Sequence, residues 1–273
     1  MTDAAYTDEV LKWRQEREAS LRRDNGWLAL AGLFWLKPGP NLAGSGPGCD
    51  IALPPRLPAL VGSFDRDDDS VTWRPVTARE SGSPIGQAPA VPLRSDATGD
   101  PNTVDLPGVR MILVHRGGRL GIRLWDNLRP GRSSFPGRTW FPIEPGFRFL
   151  AEYQAYAELQ FAPVPDATGE SVNLPIDGWL EFEHAGILRR LDATREDERS
   201  LSVHFWDPTA LDSTYPSGRY LVVPLGEAER AWVDFNYAYS PPCAFTPFAT
   251  CAFAPAQNRL DFRIEAGETY IRH

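Results

Sequence analysis

Proline limits what this chain can fold into more than any other residue type. Of its 273 residues, 26 are proline, roughly twice the usual share. Proline interrupts helices and central strands, so such a chain favours many short strands joined by loops. Strand-like segments recur at a spacing of roughly ten residues, with turn signals between them, which is typical of sandwiches and barrels. We therefore predict an all-β fold, mainly an antiparallel sandwich or a partly open barrel, with an N-terminal helix.

Alternating apolar residues mark the strands. The clearest hairpin spans 109–125, where Gly117-Gly118 forms the turn between two alternating runs. A second hairpin is predicted around the acidic turn 65–69. The further predicted strands are 147–150, 155–161, 179–182, 187–191, 201–206, 220–223, 232–235 and 260–264.

The first segment has the pattern of a helix over 7–22. Apolar side chains lie on one side of it at Val10, Leu11, Trp13 and Leu21. Thr7 is the predicted cap, because the acids that follow it would lie in the first turn, where the helix dipole favours them. Asn25-Gly26 is the predicted stop.

We predict a single domain over 1–273, with three parts. Residues 1–26 form the helical segment, 27–105 an N-terminal β lobe and 106–273 the main β portion. The boundary near 105 is predicted from the stretch 81–105, which is rich in Gly, Pro, Ser and Asp and is typical of a long surface connection.

Composition and charge argue against several classes of protein. The net charge of −8, without any Lys/Arg-rich run, argues against nucleic-acid binding. No stretch approaches the ~18 consecutive apolar residues of a membrane span, and the charged start lacks the pattern of a signal peptide. The odd number of cysteines, three, does not suggest a secreted disulfide framework. We therefore expect a soluble, cytoplasmic protein with reduced thiols and with neither a membrane nor a nucleic-acid partner.

Motifs of the common chemistries are missing. The sequence contains no G-x-S-x-G elbow, no H-E-x-x-H, no C-x-x-C pair and no G-x-G-x-x-G after a strand. We therefore predict no cofactor and no metal. A metal alternative would use Cys243 and Cys251 with His204 and Asp234. The spacing of these cysteines is not that of a zinc knuckle, however, and buried cysteine commonly serves as a small apolar residue.

Candidate catalytic residues lie in two strands and a stiff loop. Alternation over 232–236 places Asp234 and Asn236 on one face, opposite the apolar residues between them. A double proline then stiffens the loop that carries Cys243. His204 lies on the polar face of its own strand, and histidine is the usual proton carrier near neutral pH. We predict Asp234 or Cys243 as the reactive group and His204 as the proton carrier, with structural packing as the alternative.

A binding pocket is a further hypothesis. Arginines can clamp a carboxylate or phosphate while aromatic side chains cover an apolar part of a ligand. The predicted ligand-binding residues are Arg138, Trp140, Tyr215, Arg219, Asn236, Tyr239, Asn258 and Arg259. The partner would be a small anionic or polar molecule. Alternatively, the arginines pair inside the fold with Asp126, Asp207, Asp234 or Glu268.

Several stretches of the chain are specific enough to indicate a family. They are Asp234-Phe235-Asn236-Tyr237-Ala238-Tyr239-Ser240-Pro241-Pro242-Cys243-Ala244-Phe245, Asn258-Arg259-Leu260, Ala266-Gly267-Glu268, Asn25-Gly26-Trp27-Leu28, Arg116-Gly117-Gly118-Arg119, Thr214-Tyr215 and Gly218-Arg219-Tyr220. Together they resemble the DUF1684 family over most of the chain, from about Trp13 to Glu268. The chain differs from the family pattern at Ser240, Ala252 and Ala254, where asparagine, proline and proline are expected. The resemblance implies no established activity.

Three hypotheses about function follow from these observations. The first is a small-molecule enzyme that uses a polar cleft near the segment 234–258. The second is a ligand-binding β module with the same pocket but without a proton-transfer pair. The third is a structural or interaction domain.

Overall fold

The computed structural model describes residues 3–77, 86–87, 89–226 and 229–271. Helix α1, Asp3–Arg22, begins earlier than predicted. Thr7 does not cap it, because Thr7 lies inside the helix and its hydroxyl donates to the backbone carbonyl of Asp3 at 2.9 Å. The helix ends shortly before the predicted stop, where Asn25 has a left-handed φ of 57°, a conformation that asparagine tolerates better than most residues. No helix among the described residues is long and apolar enough to cross a membrane.

The described residues form two compact units. One comprises α1 up to Leu21 together with the chain from Pro136 onward, and the other is Arg22–Phe135. Both units are built mainly from strands, so the predicted all-β class with an N-terminal helix is confirmed. The single-domain organisation stays a prediction.

The unit Arg22–Phe135 contains two sheets. Its strands and short helix are β1 Leu30–Trp35, β2 Gly39–Gly44, β3 Ile51–Ala52, β4 Gly62–Asp67, β5 Ser70–Thr77, β6 Gly86–Gln87, β7 Val91–Leu93, β8 Thr103–Leu106, β9 Val109–Arg116, β10 Arg119–Asp126 and α2 Gly131–Ser134. One sheet has the order β1-β10-β9-β8, and the other has the order β3-β2-β4-β5-β6, with β7 also paired to β5. Both predicted hairpins are confirmed, as β9–β10 and as β4–β5.

Apolar side chains of both sheets form one core in this unit. Phe64 and Val71 come from β4 and β5, and Met111 and Ile122 come from β9 and β10. The predicted long connection 81–105 contains β6, β7 and the start of β8. Its residues 81–85 and 88 lie outside the described residues.

The other unit contains one large sheet and one small one. Its strands are β11 Thr139–Trp140, β12 Arg148–Pro165, β13 Ser171–His184, β14 Ile187–Asp197, β15 Ser200–Phe205, β16 Arg219–Pro224, β17 Arg230–Asp234 and β18 Glu268–Thr269. The large sheet is antiparallel and has the order β16-β15-β14-β13-β12-β17. The small sheet pairs β11 with β18.

The six-stranded sheet nearly closes into a barrel. Its two end strands, β16 and β17, meet along a seam that is bridged at both ends. At one end, Tyr220 of β16 pairs with Tyr239, which lies beyond β17. At the other end, Ala231 of β17 pairs with Leu225, which lies just beyond β16, and both bridges are antiparallel. The partly open barrel is therefore the form that this sheet takes.

Two predicted strands differ from the structure near the chain's C-terminal part. The strand predicted over 232–235 ends at Asp234, because Phe235–Tyr237 forms a 3-10 turn. The strand predicted over 260–264 is wrong: the chain bends at 261–262, and the segment forms no ladder. Its Leu260 amide instead donates to the Trp206 carbonyl at 2.8 Å, and Leu260 still packs into the core.

Candidate functional site

A pocket of about 420 Å³ lies between α1 and the seam of the six-stranded sheet. Its lining residues are Tyr6, Glu9, Trp13, Arg17, Arg148, Val222, Pro224, Trp232, Asp234, Tyr237 and Tyr239. The four residues from α1 fall on one helix face, because they are spaced by three or four positions. On β17, Trp232 and Asp234 share the pocket face, since Ala231 and Val233 alternate with them into the core.

Asp234 forms the polar end of the pocket. Its carboxylate accepts hydrogen bonds from the Tyr6 hydroxyl at 2.8 Å and from the Asn236 amide at 3.0 Å. It also forms an ion pair of 2.8 Å with Arg148 Nε. Burial raises the pKa of Asp234, although the donors from Asn236 and Tyr6 and the charge of Arg148 act in the opposite direction. Burial likewise raises the pKa of Tyr6. This carboxylate is therefore already bound on several sides by protein groups.

Aromatic rings make up most of the remaining wall. Trp13 of α1 packs edge-to-face against Tyr237, with ring centroids 5.0 Å apart, and against Trp140 behind it at 5.6 Å. Tyr239 lies 6.3 Å from the same ring. Such contacts hold rings in fixed positions, so α1 brings a rigid aromatic surface to the pocket.

Arg17 is the pocket cation that forms no direct ion pair with a carboxylate among the described residues. Its guanidinium stacks on the Tyr239 ring at 3.7 Å from the centroid. Its Nε is buried without a hydrogen-bond partner, and within the described part of the chain it forms no ion pair with a carboxylate. Glu9 is the acidic residue that α1 contributes to the pocket, and it is hydrogen-bonded to Tyr237. The pocket thus combines an aromatic wall with a guanidinium that forms no ion pair with a carboxylate in the described part of the chain, although its charge also acts on the buried Glu268.

The predicted catalytic residues fall in two places. Asp234 lines the pocket, whereas His204 stacks on Tyr220 with ring centroids 3.8 Å apart. Cys243 lies beside Cys251, whose Sγ accepts from the Cys243 amide at 3.3 Å. Burial lowers the pKa of His204 to about 4. Among the described residues, no hydrogen bond or ion pair joins His204 to Asp234 or to Cys243.

Of the predicted ligand-binding residues, Tyr239 lines the pocket and Trp140 packs behind Trp13. The two asparagines serve the backbone instead. Asn236 is fully buried and its side chain exchanges two hydrogen bonds with the backbone of Glu144. Asn258 is also buried and binds the backbone of Asp192 and the carbonyl of His204.

The predicted arginines lie elsewhere in this unit. Arg138 forms a buried ion pair with Glu268, and Arg219 forms one of 2.9 Å with Asp207. These two follow the internal-pairing alternative. Arg259 is exposed and stacks on Trp206 at a separate cleft of about 450 Å³. Tyr215 donates from its hydroxyl to the Cys243 carbonyl at 3.2 Å.

Sequence reasoning gave α1 no part in a site. A signal was present, because Tyr6, Trp13 and Arg17 lie on the same helix face as the buried Val10. Their aromatic and guanidinium groups differ from the aliphatic residues of an ordinary core-facing stripe. No group of three or more His, Cys, Asp or Glu among the described residues is arranged to hold a metal ion.

Comparison with known proteins identifies the family. No curated protein matches the chain. The solution NMR structure of an uncharacterized protein from Haloarcula marismortui is similar, with 30% sequence identity, coverage of 52% of this chain and 80% of that chain, and a TM-score of 0.42. A family model described as "Protein of unknown function (DUF1684)" matches residues 133–269, a range that contains β11–β18 and the segment 234–258. The chain therefore belongs to the DUF1684 family, as its C-terminal motifs indicated.

Proposed function

We propose that the protein binds a small organic anion with an aromatic or otherwise apolar body in the pocket between α1 and the sheet seam. The observation that carries this proposal is the Arg17 guanidinium, which lines an aromatic pocket and forms no direct ion pair with a carboxylate in the described residues. A guanidinium in this setting suits a ligand carboxylate or phosphate, which it can bind through two parallel hydrogen bonds.

The size and lining of the pocket support a small ligand. Its volume of about 420 Å³ lies within the ~300–1,000 Å³ range of small-molecule sites, which are mostly apolar with a few placed polar groups. The two acids of the pocket are engaged by protein donors: Asp234 by Tyr6 and Arg148, and Glu9 by Tyr237. A cationic ligand would have to compete with these donors, whereas an anion would meet Arg17 directly.

This geometry favours the ligand-binding module over the enzyme. The proton carrier predicted for an enzyme, His204, is not among the lining residues of the pocket, and neither is Cys243. Catalysis by Asp234, Cys243 and His204 therefore stays a prediction. A cytoplasmic location and the lack of a nucleic-acid partner also stay predictions, to be tested by cell fractionation and by a binding assay with duplex DNA and RNA.

Thermal unfolding with matched ligands tests the proposal. Phenylacetate, 2-phenylethylamine and 2-phenylethanol share a ring but carry negative, positive and no charge. A ligand that binds the folded state raises the melting temperature by mass action. We expect phenylacetate, or a larger aromatic carboxylate of the same series, to stabilise the protein more than its amine and alcohol counterparts.

A pair of variants tests whether the ligand carboxylate binds at Arg17. Arg17→Gln removes the charge of the pocket guanidinium that has no ion pair, whereas Lys12→Gln removes the same charge from an exposed position of the same helix. We expect Arg17→Gln to weaken carboxylate binding by about 10–100-fold, the value of a charge-assisted hydrogen bond, and Lys12→Gln to leave it unchanged. Stabilisation by the amine series alone, or equal carboxylate affinity in both variants, would contradict the proposal.

A further inference from the structure

Cys243 and Cys251 are two free cysteines that lie side by side. The Cys243 amide nitrogen is 3.3 Å from the Cys251 Sγ. Because that nitrogen is bonded to the Cys243 Cα, the Sγ of Cys251 lies at most about 5 Å from this Cα. This is the region that the far sulphur of a disulfide occupies. The backbone therefore already holds the second thiol where a bond to the first could form.

The two thiols differ in access to solvent. Cys251 is only 7% exposed, whereas Cys243 is partly exposed. A hydrogen bond from the Cys251 thiol lowers the pKa of Cys243, and the same pairing together with burial raises the pKa of Cys251. A reachable thiol of lowered pKa beside a buried second thiol is the arrangement of an attacking and a resolving cysteine.

Both cysteines lie in backbone that hydrogen bonds hold in place. The Cys251 carbonyl accepts from the Ala167 amide at 2.9 Å, next to the end of β12. The Tyr220 hydroxyl of β16 donates to the following carbonyl, that of Ala252, at 2.6 Å. On the other side, the Tyr215 hydroxyl holds the Cys243 carbonyl, and a double proline before Cys243 restricts its backbone. Anchoring of both positions keeps the thiols together without a disulfide.

We propose that Cys243 and Cys251 form a redox-active dithiol that reacts with hydrogen peroxide and closes to a reversible disulfide. The Cys243 thiolate attacks one peroxide oxygen, so that an S–O bond forms, the O–O bond breaks, and the departing hydroxide takes a proton to become water. The product is a sulfenic acid. The Cys251 thiolate then attacks the Cys243 sulphur and displaces the hydroxyl group, which also leaves as water. In total, the two thiols lose two electrons and two protons, and peroxide is reduced to two water molecules.

The third cysteine provides a reference within the same chain. Cys49 belongs to the other unit and is also partly exposed. Its thiol donates to the carbonyl of Ala59 at 3.4 Å and has no second cysteine beside it among the described residues. Nonspecific oxidation by peroxide should modify Cys49 and Cys243 at similar rates. If Cys243 and Cys251 form a redox-active dithiol, Cys243 should instead be oxidised faster than Cys49.

The experiment uses the full chain, reduced and then treated with a small excess of hydrogen peroxide. We expect the number of free thiols to fall from three to one in the wild-type chain. In the Cys49→Ser variant it should fall from two to none. Trypsin releases both cysteines in one peptide, 231–259, because no Lys or Arg lies between Arg230 and Arg259. That peptide should become lighter by two hydrogen atoms and should regain them after dithiothreitol.

Serine variants separate the roles of the two thiols. In Cys49→Ser/Cys251→Ser, Cys243 has no resolving partner, so we expect a sulfenic acid that dimedone traps. In Cys49→Ser/Cys243→Ser, the buried Cys251 should react severalfold more slowly. The proposal is overturned if the wild-type peptide 231–259 gains oxygen without losing two hydrogens, or if Cys49 is oxidised at the same rate. The wild-type measurement does not depend on whether any variant folds.

Discussion

The hydroxyl of Tyr6 donates a hydrogen bond of 2.8 Å to the carboxylate of Asp234, 228 positions later in the chain. This bond joins the first turns of α1 to the end of β17, and both residues line the pocket. The pocket therefore depends on a contact between residues that lie near opposite ends of the sequence.

Loss of this hydroxyl should destabilise the protein. Tyr6→Phe keeps the ring, which lies 4.2 Å from the Arg148 guanidinium, but leaves the buried Asp234 with one donor fewer. We expect a loss of about 1–3 kcal/mol in the free energy of unfolding, measured by urea denaturation. Tyr156→Phe is the control, because Tyr156 is 38% exposed and, although the charge of Asp192 acts on its hydroxyl, no hydrogen bond joins the two among the described residues. Equal effects of the two substitutions would show that the Tyr6 bond contributes nothing.

Stability should fall as the pH drops through the titration of His204. Burial lowers its pKa to about 4 from an ordinary value of 6.5. Between pH 6.5 and pH 4 the unfolded chain therefore binds more protons at this histidine than the folded chain does. The contribution of the neutral His204 to the free energy of unfolding is complete above pH 6.5 and is lost as the pH falls toward 4. His204→Gln should remove on the order of 2–3 kcal/mol of this pH-dependent loss, measured by urea unfolding at about pH 7 and pH 4. His115→Gln, which removes an exposed imidazole, is the control, and identical pH profiles for wild type and His204→Gln would contradict the expectation.

Gly267 should tolerate no side chain. It has a φ of +79°, and a Cβ there would lie 2.6 Å from the Ala238 carbonyl oxygen and 2.7 Å from that of Phe235. Gly169 has a similar φ of +85° but open space around it. Gly169→Ala should therefore cost only the left-handed strain of about 1–2 kcal/mol, and Gly267→Ala clearly more. Thermal melting of both variants tests this. Equal melting temperatures would mean that the backbone near Ala238 moves at little cost to accommodate the added Cβ.

The buried pair Arg219–Asp207 should be sensitive to loss of one partner. Arg219 is 1% exposed and also donates to the Ile264 carbonyl at 2.9 Å. Arg219→Met would leave Asp207 charged and buried, so we expect a loss of about 3–5 kcal/mol in unfolding free energy. Arg94→Met breaks the exposed pair with Asp100 and should cost less than about 1 kcal/mol. Chemical denaturation of both variants makes the comparison, and a loss at Arg219 no larger than that at Arg94 would contradict it.

Local signals in the sequence predicted the local parts of this structure. Gly117-Gly118 and the alternation around it fix the β9–β10 hairpin, and alternation also placed Val233 and Phe235 in the core. The pocket was not predictable in the same way, because Tyr6, Arg148 and Asp234 meet only through the tertiary fold. The type of a residue was also an ambiguous guide, because Arg219 suits a ligand anion and an internal aspartate equally well. In the structure it is buried in an ion pair with Asp207.

The seam of the six-stranded sheet has a consequence for both folding and binding. End strands of an open sheet are templates on which another chain can add a strand. Here, Tyr220 of β16 is bridged to Tyr239, which follows β17, and Ala231 of β17 is bridged to Leu225, which follows β16. Side chains of α1 line the pocket at this gap. The place where the sheet fails to close is therefore also the place where a ligand can enter. A chain that lacked α1 would expose this gap, and it would present an intermolecular aggregation site where the complete protein presents a selective pocket.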